Sequence, residues 1–270
     1  MATRIQEYLR PTDWPDALKA LRRPRGRARP LVIGPRPEAL ETWEAEAAVD
    51  LSRLELDYVE EEDQTIRLGA LTPLQTLAAS PLLQALADGI VSQAAALAGG
   101  LGVRNVASLA GALAPGEGSP EVRLALLALE ASIVLRGEAT RECGLMDLEL
   151  RDGELIVEAR LANRPTAHGS LQRVGRSPRD QSIVAAAVTL EASGGVCRWA
   201  RVAVAGAGPQ PQRLPEVEAL LAGQRPAAGL LAQVAEAASA AVRPHRDYRG
   251  SAVYRKSMSG VLVRRTVGEA

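Results

Sequence analysis

The stretch SIVAAAVTLEA, residues 182–192, limits the fold more than any other segment of the chain. It is a nearly unbroken apolar run of strand length, so a strand there is buried on both faces. The next segment, VCRWARVAVAG (196–206), alternates instead. Val196, Arg198, Ala200, Val202 and Val204 form one set, and Cys197, Trp199, Arg201 and Ala203 the other, which is the period of a strand. Three helical patterns follow: LPEVEALLAG (214–223), AAGLLAQVAEAASAAV (227–242) and AVYRKSMSGVLVRRTV (252–267). The C-terminal part is therefore expected to be an antiparallel sheet covered by helices on one side.

Upstream, strand and helix signals also alternate. TDWPDALKALRR (12–23) opens with Thr12 and Asp13 as cap candidates and Pro15 in the first turn, then places Ala17, Leu18 and Leu21 at helical spacing. RPLVIG (29–34) reads as a short strand ending at Gly34, with further strands in AVDLSRL (48–54) and IRLGAL (66–71). LLQALADGIVSQAAALA (82–98) reads as one helix stopped by Gly99 and Gly100. Ser119 and Pro120 open another helix, PEVRLALLALEA, and SIVLRG (132–137) is a strand after it. The composition changes in the loop LANRPTAHGS (161–170), and no internal repeat is visible. The expected class is α+β, with one domain of two small subdomains over residues 1–165 and a sheet-plus-helices domain over 166–270.

Several function classes lack their residues. The formal net charge of the 270 residues is zero, so no overall field favours nucleic acid or an anionic membrane. Cys143 and Cys197 match no metal or CxxC spacing, and neither His168 nor His245 has a second ligand at metal-binding spacing. There is no G-x-S-x-G elbow and no H-E-x-x-H, so no catalytic set is complete. Gly206-Ala207-Gly208 follows a strand, but the third glycine of a dinucleotide fingerprint is missing and Pro209 and Pro211 remove amides, which makes it a tight turn. No run is long enough to span a bilayer and no signal peptide is recognisable, so a cytoplasmic protein without membrane insertion is expected.

What remains is the glycine-rich stretch GGLGVRNVASLAGALAPGEGSPEV, residues 99–122. Its glycines allow backbone close to a ligand. Arg104 can pair with phosphate, Asn105 can take a left-handed turn position, and Ser108 offers a hydroxyl. Ser119 and Pro120 start a helix whose N-terminal dipole favours an anion.

With these segments in hand the chain resembles the FAD-binding medium subunit of molybdenum hydroxylases, the group of xanthine dehydrogenase, carbon monoxide dehydrogenase and aldehyde oxidoreductases. IRLGALTPLQTLAASPLL is similar to the family's IGA-x-T-T segment at Gly69, Ala70 and Thr72, and VRNVASLAGALA to its IRN-x-A-T-I-G-G-N loop. HRDYRGSAVYRKSMSGVLVRRTV, with Asp247, Arg249, Gly250, Ser251, Tyr254 and Arg255 in order, resembles its C-terminal domain.

The resemblance implies that FAD is held by two glycine-rich segments. Carried over, the cofactor-binding positions are Gly34 in the first and Arg104, Asn105, Ser108 and Gly111 in the second. It implies no catalytic residue and no metal in this chain, with iron–sulfur clusters in a small partner subunit and the molybdenum cofactor in a large one. The loops depart from the family pattern. A-G-G-T-D-L has become Ile33-Gly34-Pro35-Arg36-Pro37-Glu38, where two prolines delete amides. G-G-N has become Ala110-Gly111-Ala112, and Glu117 adds a carboxylate nearby. Two readings follow: a subunit that passes electrons from iron–sulfur clusters through FAD to an acceptor, or a flavin-less subunit that keeps the fold and the docking surface.

Overall fold

The computed structural model describes residues 5–23, 28–35, 45–114, 118–177 and 180–270. It contains three sheets among these residues. β1 (Glu7–Leu9), β2 (Ala28–Pro30) and β3 (Ala47–Val49) form a parallel sheet in the order β1-β3-β2. α1 (Trp14–Leu21) packs beside it, capped by Asp13, whose carboxylate accepts from Asp16 N at 2.9 Å. β4 (Val59–Glu62), β5 (Thr65–Gly69), β6 (Ser132–Arg136), β7 (Thr140–Gly144) and β8 (Leu155–Ala162) form an antiparallel sheet in the order β4-β5-β8-β6-β7. Between β5 and β6 run the short helices α2 (Leu74–Ala79), α3 (Pro81–Ala85), α4 (Ile90–Ala96), α5 (Leu101–Arg104), α6 (Leu109–Leu113) and α7 (Pro120–Ala128).

The third sheet is antiparallel: β9 (Ala167–Val174), β10 (Val184–Ser193), β11 (Val196–Ala205) and β12 (Gln212–Arg213), in the order β12-β11-β10-β9. α8 (Pro215–Leu221), α9 (Ala228–Ala241) and α10 (Ala252–Glu269) follow. The apolar run 184–190 is buried at every residue, as its composition requires. One face of β10 and β11, with Ala186, Val188, Val202 and Val204, packs into the core made with α8 to α10. The opposite face presents Ala185, Ala187, Ala203 and Ala205 to the core that contains α4 and α7. Alanines there let α7 approach closely, and the Thr189 hydroxyl donates to the Ala128 carbonyl at the end of that helix.

Three expectations change. The segment 82–98 is not one helix. It breaks at Ala87, Asp88 and Gly89, whose φ values are 44°, 54° and 76°. Asp88 there accepts from Gly169 N at 3.1 Å and lies 3.1 Å from His168 Nδ1, which ties the break to β9. A Cβ at Gly169 would lie 2.5 Å from the Ala87 carbonyl, so β9 needs glycine where the corner meets it. Second, the strand in 29–34 ends at Pro30, because the Ile33 carbonyl accepts from Ser108 N instead of from a neighbouring strand. Third, Asn105 is right-handed, with φ −69°.

The segment 243–255 is a clamp. Asp247 accepts from Arg249 N at 2.9 Å, Gly250 N at 3.1 Å and the guanidinium groups of Arg249 and Arg255. Arg255 is 2 % exposed and also donates to the carbonyls of Ile183 and Gly206, so it joins β10, the end of β11 and the start of α10.

Candidate functional site

The two glycine-bearing segments meet. A Cβ on Gly111 would lie 2.0 Å from Ile33 O and 2.7 Å from Gly34 N, so the 33–35 backbone rests on the bare Cα of Gly111. Ser108 caps α6, its hydroxyl accepting from Gly111 N at 3.2 Å. Gly34 is half-buried at this junction.

The amides of the second loop are already used. Ser108 N donates to Ile33 O, Leu109 N to Thr72 O, Ala110 N to Ala70 O, and Ala112 N to Ser108 O, all at 2.8–3.0 Å. With Gly111 N on the Ser108 hydroxyl, residues 108–112 present no spare backbone donor. Pro35 has none to give. The Arg104 guanidinium is also engaged: Nη1 donates to the carbonyls of Ala96 (3.0 Å) and Gly99 (2.6 Å), and Nε to Gln75 Oε1 (2.9 Å). It closes the C-terminal carbonyls of α4. Asn105 is exposed beside it. Arg36, Pro37, Glu38 and Glu117 lie outside the described residues.

The start of α7 is different. Two cavities flank Gly118, Ser119 and Pro120. One, of about 160 Å³, is lined by Ala112, Arg123, Gln181 and Pro209–Pro211; the other, of about 100 Å³, by Pro35, Leu97–Gly99, Glu121 and Asp180. Ser119 caps α7, its hydroxyl accepting from Val122 N and donating to Glu121. The buried Glu121 carboxylate also accepts from the Ser182 hydroxyl. A Cβ on Gly118 would lie 2.2 Å from Ala112 O. One turn into the helix, Arg123 lines the larger cavity, and its buried Nε has no hydrogen-bond partner. Its Nη1 reaches only the Leu113 carbonyl, at 3.4 Å, and among the described residues no carboxylate pairs with it. Burial pushes its pKa below the ordinary guanidinium value. Because arginine holds its proton at any ordinary pH, this cation is suited to an anion entering the cavity.

For a flavin dinucleotide the fit is therefore divided. The α7 side supplies the half-buried Arg123, whose Nε has no partner among the described residues, but its amides at Gly118, Ser119, Val122 and Arg123 are also engaged and Pro120 has none. The α6 side supplies the bare backbone of Gly111 but no free amide. Each cavity is smaller than the roughly 300 Å³ at which pockets for drug-sized ligands begin.

Of the site residues expected from sequence, Gly34, Ser108 and Gly111 come together at the junction, whereas Arg104 closes the end of α4 and Asn105 ends α5. Arg123 and Gln181 were not singled out. Arg123 is a polar interruption in the apolar pattern PEVRLALLALEA, and that interruption is the signal that could have found it. Cys143 and Cys197 are free thiols, and the described residues contain no cluster of metal-ligating side chains. Their helices include none long and apolar enough to cross a membrane.

A parallel cap, a helix-backed antiparallel sheet and a second antiparallel sheet with its own helices, meeting at a glycine-bearing junction, define an α+β protein. Residues 3–158 match the FAD binding domain in molybdopterin dehydrogenase, and residues 170–270 the CO dehydrogenase flavoprotein C-terminal domain. The chain is 33% identical to the 6-hydroxypseudooxynicotine dehydrogenase complex subunit alpha of Paenarthrobacter nicotinovorans, over 82% of this chain and 78% of that one. It is 30% identical to the carbon monoxide dehydrogenase medium chain of Afipia carboxidovorans, over 98% and 96% respectively. A chain of the carbon monoxide dehydrogenase from Hydrogenophaga pseudoflava that lacks the Mo-pyranopterin moiety superposes with a TM-score of 0.90 at 27% identity, covering 99% of this chain and 98% of the other. The protein belongs to the family of FAD-binding medium subunits of molybdenum hydroxylases.

Proposed function

We propose that this chain is the medium subunit of a cytoplasmic molybdenum hydroxylase complex. In that role it stands between an iron–sulfur small subunit and an electron acceptor, with a molybdenum-binding large subunit supplying the reducing equivalents. Family membership and the absence of a complete catalytic set in the sequence support this assembly role. The two free thiols suit a reducing compartment. A division into two domains near residue 165 is part of the same reading, supported by matched segments that end at 158 and begin again at 170.

The observation that carries flavin binding is the half-buried Arg123 beside the start of α7, whose buried Nε has no partner among the described residues. FAD, when bound, supplies the redox chemistry, and the chain supplies binding and orientation. In this reading Arg123, Gly118 and Ser119 take the anionic part of the cofactor. Gly34 and Gly111 permit close backbone approach, Ser108 fixes the loop between them, and Asn105 lies at its edge. Arg104 holds the end of α4 in place rather than meeting phosphate. The consumed amides of 108–112 favour the second reading, a subunit that keeps the fold and docking surface without flavin.

Titrating FAD into the protein with its partner subunits present, followed by flavin fluorescence, separates the two. Saturable binding that weakens in Arg123→Ala supports the first. No saturable change up to millimolar flavin, with the protein folded, removes the electron-carrying role. A variant with glycine, threonine and aspartate at positions 35, 36 and 37, glycine at 110 and asparagine at 112 is expected to bind more tightly. If it folds and takes up no flavin, the loops are not the point of failure.

A further inference from the structure

Gln181, just ahead of β10, lines both cavities at the start of α7. Its side chain has one hydrogen bond among the described residues, accepted by Oε1 from Arg249 Nη1 at 2.5 Å. An arginine can only donate, so this bond fixes which end of the carboxamide faces Arg249. Nε2, with its two N–H donors, is turned the other way and has no partner among the described residues. Arg249 is itself held in place. Its Nε and Nη2 donate to Asp247 Oδ2 at 3.0 and 2.9 Å, and its amide to Oδ1 at 2.9 Å. The clamp around Asp247 thus reaches the edge of the candidate site through the one guanidinium nitrogen that Asp247 leaves over.

The two cavities differ in charge. Glu121 and Asp180 line the smaller one. Among the described residues no carboxylate lines the larger, which holds Arg123 with its orphaned Nε. Backbone donors are scarce there. Gly118 N and Ser119 N are spent on the carbonyls of Ala114 and Ala112, and Val122 N on the Ser119 hydroxyl. Donors for a ligand in the larger cavity therefore have to come from side chains. Arg123 on α7 and Gln181 ahead of β10 each bring one that the fold has not used. The group that satisfies both is rich in lone pairs and carries no proton, as a phosphate oxygen is.

We infer that Gln181 donates through Nε2 to the anionic part of the flavin dinucleotide, beside Arg123, and that Arg249 is the positioning residue that keeps the carboxamide facing it. The inference rests on flavin binding as proposed above.

The test measures FAD affinity by flavin fluorescence, with the partner subunits present, alongside the melting temperature of this chain. The wild-type protein is read first: if it takes up no FAD at millimolar concentration, flavin binding and the Gln181 contact fall together. If it binds, Gln181→Glu separates a ligand contact from a structural one. Glutamate keeps an oxygen for Arg249 and gives it an ion pair, but it has no N–H and adds a negative charge. Its melting temperature is expected at or above the wild-type value, with FAD affinity about 100-fold weaker. Gln181→Leu loses the donor without adding charge and is expected to weaken FAD about tenfold. Arg249→Met lowers the melting temperature, because Asp247 loses a partner, and releases the carboxamide, weakening FAD about threefold. Made in Gln181→Leu, the same change lowers the melting temperature again but weakens FAD no further. Wild-type affinity in Gln181→Glu or in Gln181→Leu overturns the inference. An equal further loss of affinity from Arg249→Met in both backgrounds overturns the positioning role of Arg249.

Discussion

Two helices of this protein begin alike and end up in different roles. α7 starts Ser119-Pro120-Glu121-Val122-Arg123 and α10 starts Ser251-Ala252-Val253-Tyr254-Arg255. In each, a serine caps the helix and an arginine follows one turn later. Arg255 is buried and each of its three nitrogens is bonded: it donates to Asp247, Ile183, Gly206 and Gly250. Arg123 has one long hydrogen bond and an orphaned Nε beside a cavity. A buried arginine whose donors are all used is part of the fold. One whose donors are idle has a free energy cost that only an anion or a structural rearrangement removes. The same local sequence pattern thus marks a structural clamp in one place and a candidate site in the other.

The largest expected effect is on the clamp. Arg255→Met leaves Asp247 with only Arg249 and the Gly250 amide and takes a donor from the carbonyls of Ile183, Gly206 and Gly250, and is expected to cost about 3 kcal/mol, the low end of the range for breaking a buried pair. Chemical denaturation measures it. A cost under about 1 kcal/mol would remove the distinction between the two arginines.

Asp247 gives the same contrast a pH dependence. Burial works against its charge, but bonds from Arg255, Arg249 and Gly250 win, and its pKa lies well below the ordinary aspartate value. A carboxylate depressed in the folded state contributes stability that is fully present above its unfolded pKa of about 3.9 and is lost as the pH falls through the folded value. Stability is therefore expected to drop below about pH 4, more steeply in the wild type than in Asp247→Asn. Parallel melting curves of the two proteins from neutral pH into this range would contradict the assignment.

The junction gives the next effect. Gly111→Ala places a methyl 2.0 Å from the Ile33 carbonyl, so the 33–35 segment must move. The expected cost is about 1–3 kcal/mol, as for overpacking of a close contact, with flavin affinity, where present, falling as well. Thermal unfolding and flavin titration of one sample read both.

The smallest effect on stability is at Arg123, and it sharpens the comparison most. Arg123→Met replaces a half-buried cation with an orphaned Nε by an apolar chain of similar length. Stability is expected to stay within about 0.5 kcal/mol of wild type or rise, while flavin affinity falls about 10–100-fold, the loss of one charged contact. A large loss of stability would mean that Arg123 is a second clamp and that the site lies elsewhere.

Much of the fold follows from the sequence by itself. The apolar run at 184–190, the alternation at 196–204 and the capped starts of α1, α7 and α10 depend on neighbours within a few residues, and periodicity and capping chemistry report such neighbours. What only the tertiary structure decided are matters of distant partners. The break at Ala87–Gly89 exists because Asp88 meets Gly169, about eighty positions later. Arg104, the best phosphate candidate in its loop, is turned onto the carbonyls of Ala96 and Gly99. Arg123, a polar interruption in the pattern, keeps one long bond to the Leu113 carbonyl and an Nε without a partner among the described residues. Charge and hydrogen-bonding capacity are written in the sequence, but whether a donor is spent or spare depends on which carbonyls the folded chain brings within about 3 Å of it.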